Sequence, residues 1–192
     1  EITQIFYLWV FIIFMVGTPG PANLLVMSLG ATNGFKACMP FNLGLIGGKF
    51  LLNIAMGLGL FVILNENNNL QFSLKFISAF YMIYLSLKNW NINKFSQKSK
   101  VSGFKDGLLV HPINPKAWVM IIIAWTEFAP FLGNFYSQFL IISISFSIFQ
   151  LILHSTWGFF GHFLSKSFPN DQKLNRLLIC ITILVVLWAV FF

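Results

Sequence analysis

The chain has 192 residues, of which 57% are hydrophobic and only 9% are charged, and its formal net charge is +7 at pH 7. Together with a mean hydropathy of +0.79, this composition excludes a soluble globule, because the polar surface is too small to cover one of this length. The apolar runs suit helical spans of about 20 residues and lack the alternation of barrel strands, so we expect an all-α integral membrane protein. Cys38 and Cys180 lie far apart with no histidine or cysteine cluster, so neither a redox pair nor a zinc site is indicated.

Hydropathy predicts six transmembrane helices joined by connections too short to hold another domain. Their predicted ranges are Ile5–Leu29, Phe41–Leu64, Leu70–Leu87, Gly107–Phe128, Phe135–Leu164 and Leu174–Phe192. We expect one transmembrane domain over 1–192, with a first three-helix half at 1–90, a loop at 91–105 and a second half at 106–192. The first connection is predicted at Gly30–Pro40.

Proline-containing breaks interrupt the first and fourth predicted helices. They are Gly17-Thr18-Pro19-Gly20-Pro21 and His111-Pro112-Ile113-Asn114-Pro115-Lys116, and Pro19 and Pro115 lie 96 residues apart, half the chain length. Proline removes a backbone donor, and a membrane tolerates open backbone only where it faces protein or a watery cavity. Paired broken helices are typical of secondary transporters built from repeats, and three spans per half predict that the two repeats are inverted.

The two breaks predict a solute site near the middle of the membrane. A helix that restarts after proline presents unpaired N–H groups and a positive dipole end, which suit a carboxylate, while the carbonyls before each break suit an ammonium. A small zwitterion would satisfy both. The alternative is that the prolines only kink packed helices. The predicted substrate-binding residues are Thr18, Pro19, Gly20, Pro21, Asn23, Asn114, Pro115 and Lys116.

Four further polar residues are predicted to line the cavity or to couple transport to an ion gradient: Lys49, His111, Gln150 and His154. Ionisable side chains inside a membrane are costly and usually functional. Lys49 could instead extend to the lipid headgroups, and Gln150 and His154, four residues apart, could form a helix–helix hydrogen bond. Gly48-Lys49 does not begin a phosphate loop, because Phe50 stands where serine or threonine is needed. We expect no metal and no cofactor.

Basic residues concentrate beside the first, third and fifth predicted connections. Because short loops rich in lysine and arginine stay cytosolic, we expect loop 91–105 in the cytosol and both termini outside the inner (plasma) membrane. The net charge is then a topology signal rather than a nucleic-acid surface. The expected partners are the lipid bilayer and a small-molecule substrate, and a homo-oligomer is left open. Nine of the twelve lysines and arginines lie in or beside these connections: Lys36, Lys88, Lys94, Lys98, Lys100, Lys105, Lys166, Lys173 and Arg176.

Five short motifs follow one another along nearly the whole chain. They are Thr18-Pro19-Gly20-Pro21 with Leu24-Leu25-Val26, Asn33-Gly34-Phe35-Lys36, Tyr81-x-x-Tyr84-Leu85, Asn114-Pro115-Lys116-Ala117 and Leu174-Asn175-Arg176. In this order they resemble the LysE superfamily, and within it the RhtB-type amino-acid exporters. The resemblance implies a six-helix inner-membrane exporter of amino acids, driven by the proton or membrane gradient. The chain departs from the family pattern at Ala22, where a polar residue is usual, at Gln150, where an acidic residue is frequent, and around Thr126-Glu127, where a proline is usual.

The sequence therefore predicts a secondary-active exporter of amino acids or related small zwitterionic metabolites, which works by alternating access and is not an enzyme. One alternative is an intramembrane enzyme that uses His111 or His154 as a base, although no nucleophile motif accompanies them. Another is a membrane subunit that transports nothing. That alternative explains the spans but gives no reason for two matched breaks and a buried lysine.

Overall fold

The computed structural model describes residues 2–59, 66–88, 90, 102–167 and 172–191. The regular elements of these ranges are all helical, as predicted. After α6 the chain continues through a π-helical turn, Ala124–Phe128, and a 3-10 turn, Ala129–Phe131. The α-helices are α1 (Ile2–Gly17), α2 (Pro21–Asn33), α3 (Phe35–Gly57), α4 (Asn68–Lys88), α5 (Phe104–Ile113), α6 (Pro115–Ile123), α7 (Phe135–Ser167) and α8 (Gln172–Phe191).

Both predicted breaks are present and divide bent helices. In the described ranges, α3 and α7 are each long and apolar enough to cross a membrane. Two bent pairs pass the same test when their halves are counted together: α1 with α2, bent by 58°, and α5 with Lys116–Phe131, bent by 65°. The described structure thus contains two candidate spans, or four when each bent pair is one span. The helices α4 and α8 occupy the places of the third and sixth predicted spans.

The predicted connection Gly30–Pro40 is wrong. Helix α2 continues to Asn33 and α3 begins at Phe35, so Gly34 alone separates them. Gly34 has a φ of 89°, a left-handed conformation that glycine adopts at little cost, and it allows the chain to change direction within one residue. Hydropathy misses this arrangement because both helices extend beyond their apolar stretches, and Pro40 lies inside α3.

Helix α7 organises the bundle. It packs against α1, α2 and α3, while α5 packs on α3 and α8 packs on α2 and α4. The closest approaches occur at glycines: a Cβ at Gly30 would collide with the carbonyl oxygen of Gly158, and a Cβ at Gly44 would collide with that of Phe104. Small residues that let helix backbones approach are typical of membrane helix packing.

The apolar core forms two large clusters. One takes its side chains from α1, α6 and the adjoining parts of α3 and α7, and includes Ile12, Ile121 and Phe146. The other takes them from α2, α4, α5 and the first part of α3, and includes Leu29 and Phe41. Because each bent pair contributes one half to each cluster, both breaks lie between the clusters.

Candidate functional site

The first break leaves an uncapped helix start. Gly20 is the N-cap of α2, has extended backbone and supplies no side-chain cap. The first backbone bond of α2 runs from the Leu24 amide to the Gly20 carbonyl at 3.0 Å, so the amides of Ala22 and Asn23 precede the hydrogen-bonded ladder. The start of α2 therefore offers backbone donors and the positive end of a helix dipole.

The second break is capped by its own asparagine. The Asn114 side-chain oxygen accepts from the Lys116 amide at 3.0 Å. The Asn114 carbonyl accepts from the amides of Ala117 and Trp118 at 2.9 and 3.2 Å. The expectation that both helix starts offer free amides is therefore wrong for α6. Asparagine directly before a helix-starting proline is a capping signal that the sequence already contained.

The carbonyls before the breaks are also occupied, contrary to expectation. Asn23 Nδ2 donates to the Val16 carbonyl at 2.8 Å and to the Thr18 carbonyl at 2.9 Å. Buried carbonyls seek such partners because an unpaired one is costly, and here the chain supplies the donors itself. Two indole N–H groups bond to further carbonyls, Trp157 to Gly17 at 3.3 Å and Trp118 to Pro112 at 2.8 Å.

Lys116 joins the two breaks. Although it follows Pro115 at the start of α6, its Nζ donates to Thr18 Oγ1 at 3.0 Å and to the Thr18 carbonyl at 3.3 Å. A Cβ at Gly20 would lie 3.2 Å from the same Nζ, so the glycine leaves room for the ammonium. Within the described residues, this lysine has no carboxylate partner. Its charge lies at the junction of α1, α2 and α6.

His111, Gln150 and His154 form a buried polar cluster where α5 meets α7. Gln150 Nε2 donates to His111 Nε2 at 3.0 Å, and the rings of His111 and His154 lie 5.8 Å apart with an interplanar angle of 26°. Gln150 bonds to a residue of another helix and also faces the cavity.

Seven buried side-chain polar atoms have no hydrogen-bond partner in the described structure, and four of them form one group: Asn23 Oδ1, His111 Nδ1, Gln150 Oε1 and His154 Nδ1. All four residues line the same cavity. Buried polar atoms are nearly always paired, so an unpaired set that faces one space calls for a ligand or water there.

The cavity is small: about 20 Å³ is open to the centre of a water-sized sphere, which is room for about one water molecule. Eight of the twelve predicted site residues line it: Gly20, Pro21, Asn23, His111, Asn114, Lys116, Gln150 and His154. Thr18 reaches it only through Lys116, Pro19 is exposed, and the side chain of Pro115 lies outside the described residues. The sequence analysis missed four lining residues, Met15, Val16, Ala22 and Met120; the i, i+4 spacing of Lys116 and Met120 was the available signal.

Lys49 lies behind the cavity and does not extend to the membrane surface. Its side chain is 2% exposed. Its Nζ donates to the Ala117 carbonyl at 3.1 Å and lies 4.5 Å from the centroid of the Phe146 ring. The carbonyl and the ring face both favour a cation. Because Ala117 follows Lys116, the Lys49 ammonium bonds to the turn of α6 that carries Lys116.

A family model described as LysE type translocator matches residues 13–192. The chain belongs to the LysE type translocator family. This LysE-type chain is 23% identical over 181 residues to the uncharacterized membrane protein YrhP of Bacillus subtilis (strain 168), with 84% of each chain covered. No solved structure matches. Membership confirms the resemblance seen in the motifs and makes the protein a membrane translocator. Among the residues that the structure describes, no group of three or more His, Cys, Asp or Glu side chains could hold a metal ion.

Proposed function

We propose that this LysE-type translocator is a secondary-active exporter of amino acids or related small zwitterionic metabolites. The observation that carries the proposal is the position of Lys116, which belongs to the second break, bonds to Thr18 of the first, and borders a cavity lined by both. Lys116 is partly buried, and a lysine inside a membrane without a carboxylate partner needs an anion or water beside it. A substrate carboxylate supplies that anion.

The cavity offers partners for both ends of an amino acid. The carboxylate binds Lys116 Nζ and the amides at the start of α2, where Ala22 and Asn23 precede the helical ladder. The ammonium binds the unpaired oxygens of Asn23 and Gln150. These side-chain oxygens replace the break carbonyls in the proposal, because the chain's own donors already occupy those carbonyls.

Alternating access follows from a site shared by two halves. In this proposal six helices form two inverted three-helix repeats, each contributing one broken helix, and one repeat rocks against the other around the bound solute. The protein lies in the inner (plasma) membrane with both termini outside. His111 and His154 are the proposed coupling residues, because they are the titratable imidazoles that line the cavity.

Counterflow in proteoliposomes tests the proposal. Proteoliposomes that contain the purified protein and are loaded with a mixture of unlabelled amino acids should take up a labelled amino acid from outside. Lys116→Ala should reduce this exchange about tenfold or more, because hydrogen bonds to charged groups contribute roughly 1.5–3 kcal/mol. The matched control is Lys105→Ala, which removes an exposed lysine from α5 and should leave exchange unchanged. Absence of exchange by the native protein, or full exchange by Lys116→Ala, would overturn the proposal.

A further inference from the structure

We propose that the transported solute carries a net negative charge and belongs to the acidic amino acids, which add a second carboxylate to the zwitterionic core. This inference rests on the proposed function and concerns the same cavity. It goes beyond that function by naming the charge class of the substrate. The observations that carry it are the buried Lys49 and the partly buried Lys116, the positions of the acidic residues, and the balance of donors and acceptors around the cavity.

Two lysines are associated with the first turn of α6, one as part of it and one through a hydrogen bond to it. Lys116 lines the cavity, and Lys49 donates to the carbonyl of Ala117, the next residue. Neither lysine has a carboxylate partner within the described residues. Two cations held together in a membrane interior repel each other and lose hydration, so a bound anion stabilises both.

The acidic side chains of the described structure lie away from the cavity. Glu66 and Glu127 are exposed. Asp106 lies in the first turn of α5, where its carboxylate accepts from the Gly103 amide at 3.0 Å, and His111 and the break are at the other end of that helix. None of the three lines the cavity. Among the described residues, no acidic side chain supplies a counter-charge at the cavity, and an anionic solute would supply it.

The donors around the cavity exceed the need of one carboxylate. They are the Lys116 ammonium and the amides at the start of α2, and the unpaired Nδ1 atoms of His111 and His154 also face the cavity, where each donates when it carries the ring proton. The unpaired acceptor oxygens are those of Asn23 and Gln150, enough for a single ammonium. A solute with two carboxylates and one ammonium fits this balance. A basic amino acid would add a third cation beside two lysines that lack a carboxylate partner, and charge repulsion would disfavour its binding.

The decisive comparison uses substrates that differ by one charge. Glutamate and glutamine have nearly the same shape, so labelled counterflow by the native protein reports charge recognition without any mutation. We expect glutamate exchange to exceed glutamine exchange about tenfold and lysine to exchange negligibly, because polar sites discriminate strongly against analogues that leave buried groups unpaired.

The outcomes separate this inference from the proposed function. Glutamine exchange equal to or above that of glutamate would overturn the charge inference and leave amino-acid export standing. Exchange of succinate with no amino acid would support the negative charge but overturn amino-acid export. No exchange of any of these compounds would overturn both.

Lys49 supplies a second test, since it lies behind the cavity rather than in its lining. Lys49→Met keeps an unbranched side chain and removes the charge, and we expect the glutamate-to-glutamine ratio to fall about tenfold. Lys49→Arg keeps the charge and should keep the ratio, which separates charge from packing. Lys105→Met, at an exposed lysine of α5, should leave the ratio unchanged. An unchanged ratio in folded Lys49→Met would overturn the assignment of Lys49, and if that variant does not fold, the native comparison decides the inference.

Discussion

At the two breaks, single side chains form the hydrogen bonds that the interrupted helical backbone cannot form. Asn23 satisfies two carbonyls of the first break, and Asn114 caps the helix that follows the second. Lys116 then spans the gap to Thr18. Because these bonds hold the open backbone, the breaks are ordered features that position the cavity rather than simple kinks.

The cap at Asn114 can be separated from its place in the cavity. Asn134 caps α7 in the same way, accepting from the Ser137 amide at 3.0 Å, but it is exposed. Asn114→Ala and Asn134→Ala should each lower the free energy of unfolding by about 1 kcal/mol, the usual cost of a lost cap. Thermal unfolding in detergent measures this loss.

Only Asn114→Ala should also impair transport, because it releases the first turn of α6, which carries Lys116. We expect a roughly tenfold loss of counterflow for this variant. Equal transport by the two cap variants would show that the Asn114 cap does not position the lysine.

Helix pairs in this protein meet at backbone distance. Helix α2 packs on α7 through Gly30 and Gly158, and Gly161 of α7 packs on the Met27 backbone in the same way. The pair α3 and α5 meets similarly at Gly44, Gly48 and Gly107. These seams fix the helix that follows the first break, α2, and the helix that precedes the second, α5. They therefore set where the cavity lies.

A methyl group at the α2–α7 seam should be costly. Gly30→Ala would place its Cβ on the Gly158 carbonyl oxygen, and because backbone cannot yield as a side chain can, the helices must separate. We expect a loss of about 1–3 kcal/mol in the free energy of unfolding, seen as a lower thermal midpoint in detergent. Gly103→Ala is the matched control, since its Cβ would meet nothing within 4 Å. A Gly30→Ala variant as stable as the control would contradict the seam.

At the scale of the whole molecule, the charge pattern predicts an orientation. Lys36, beside the α2–α3 turn, should face the cytosol, and Asn134, between α6 and α7, should face outside. Residues 91–101 of the predicted cytosolic loop 91–105 lie outside the described residues. The test therefore uses positions that the structure describes. Both Lys36 and Asn134 are exposed.

Cysteine labelling in intact cells checks this orientation. In a background with Cys38→Ala and Cys180→Ser, a membrane-impermeant maleimide should label Asn134→Cys directly. It should label Lys36→Cys only after permeabilisation. Labelling of both positions from the same side would contradict the inverted arrangement of the halves. Labelling in the opposite order would contradict the predicted orientation of the protein.

The sequence by itself determined the helical membrane class, the two breaks and most of the polar residues around the cavity. It could do so because hydropathy and proline act locally: an apolar run needs a helix in lipid, and proline opens that helix wherever it falls. The family likewise followed from short motifs in fixed order. The predicted connection at Gly30–Pro40 failed because a single left-handed glycine can replace a loop, and hydropathy does not register it.

Only the tertiary structure decided which groups meet. That Lys116 bonds across 98 residues to Thr18, that Lys49 is buried against Phe146, and that indoles occupy the break carbonyls all depend on how distant helices pack. Which donor pairs with which acceptor depends on their proximity in space, and the order of residues along the chain does not contain that information. The charge balance of the cavity, and therefore the class of solute proposed for it, could be read only after the helices were placed.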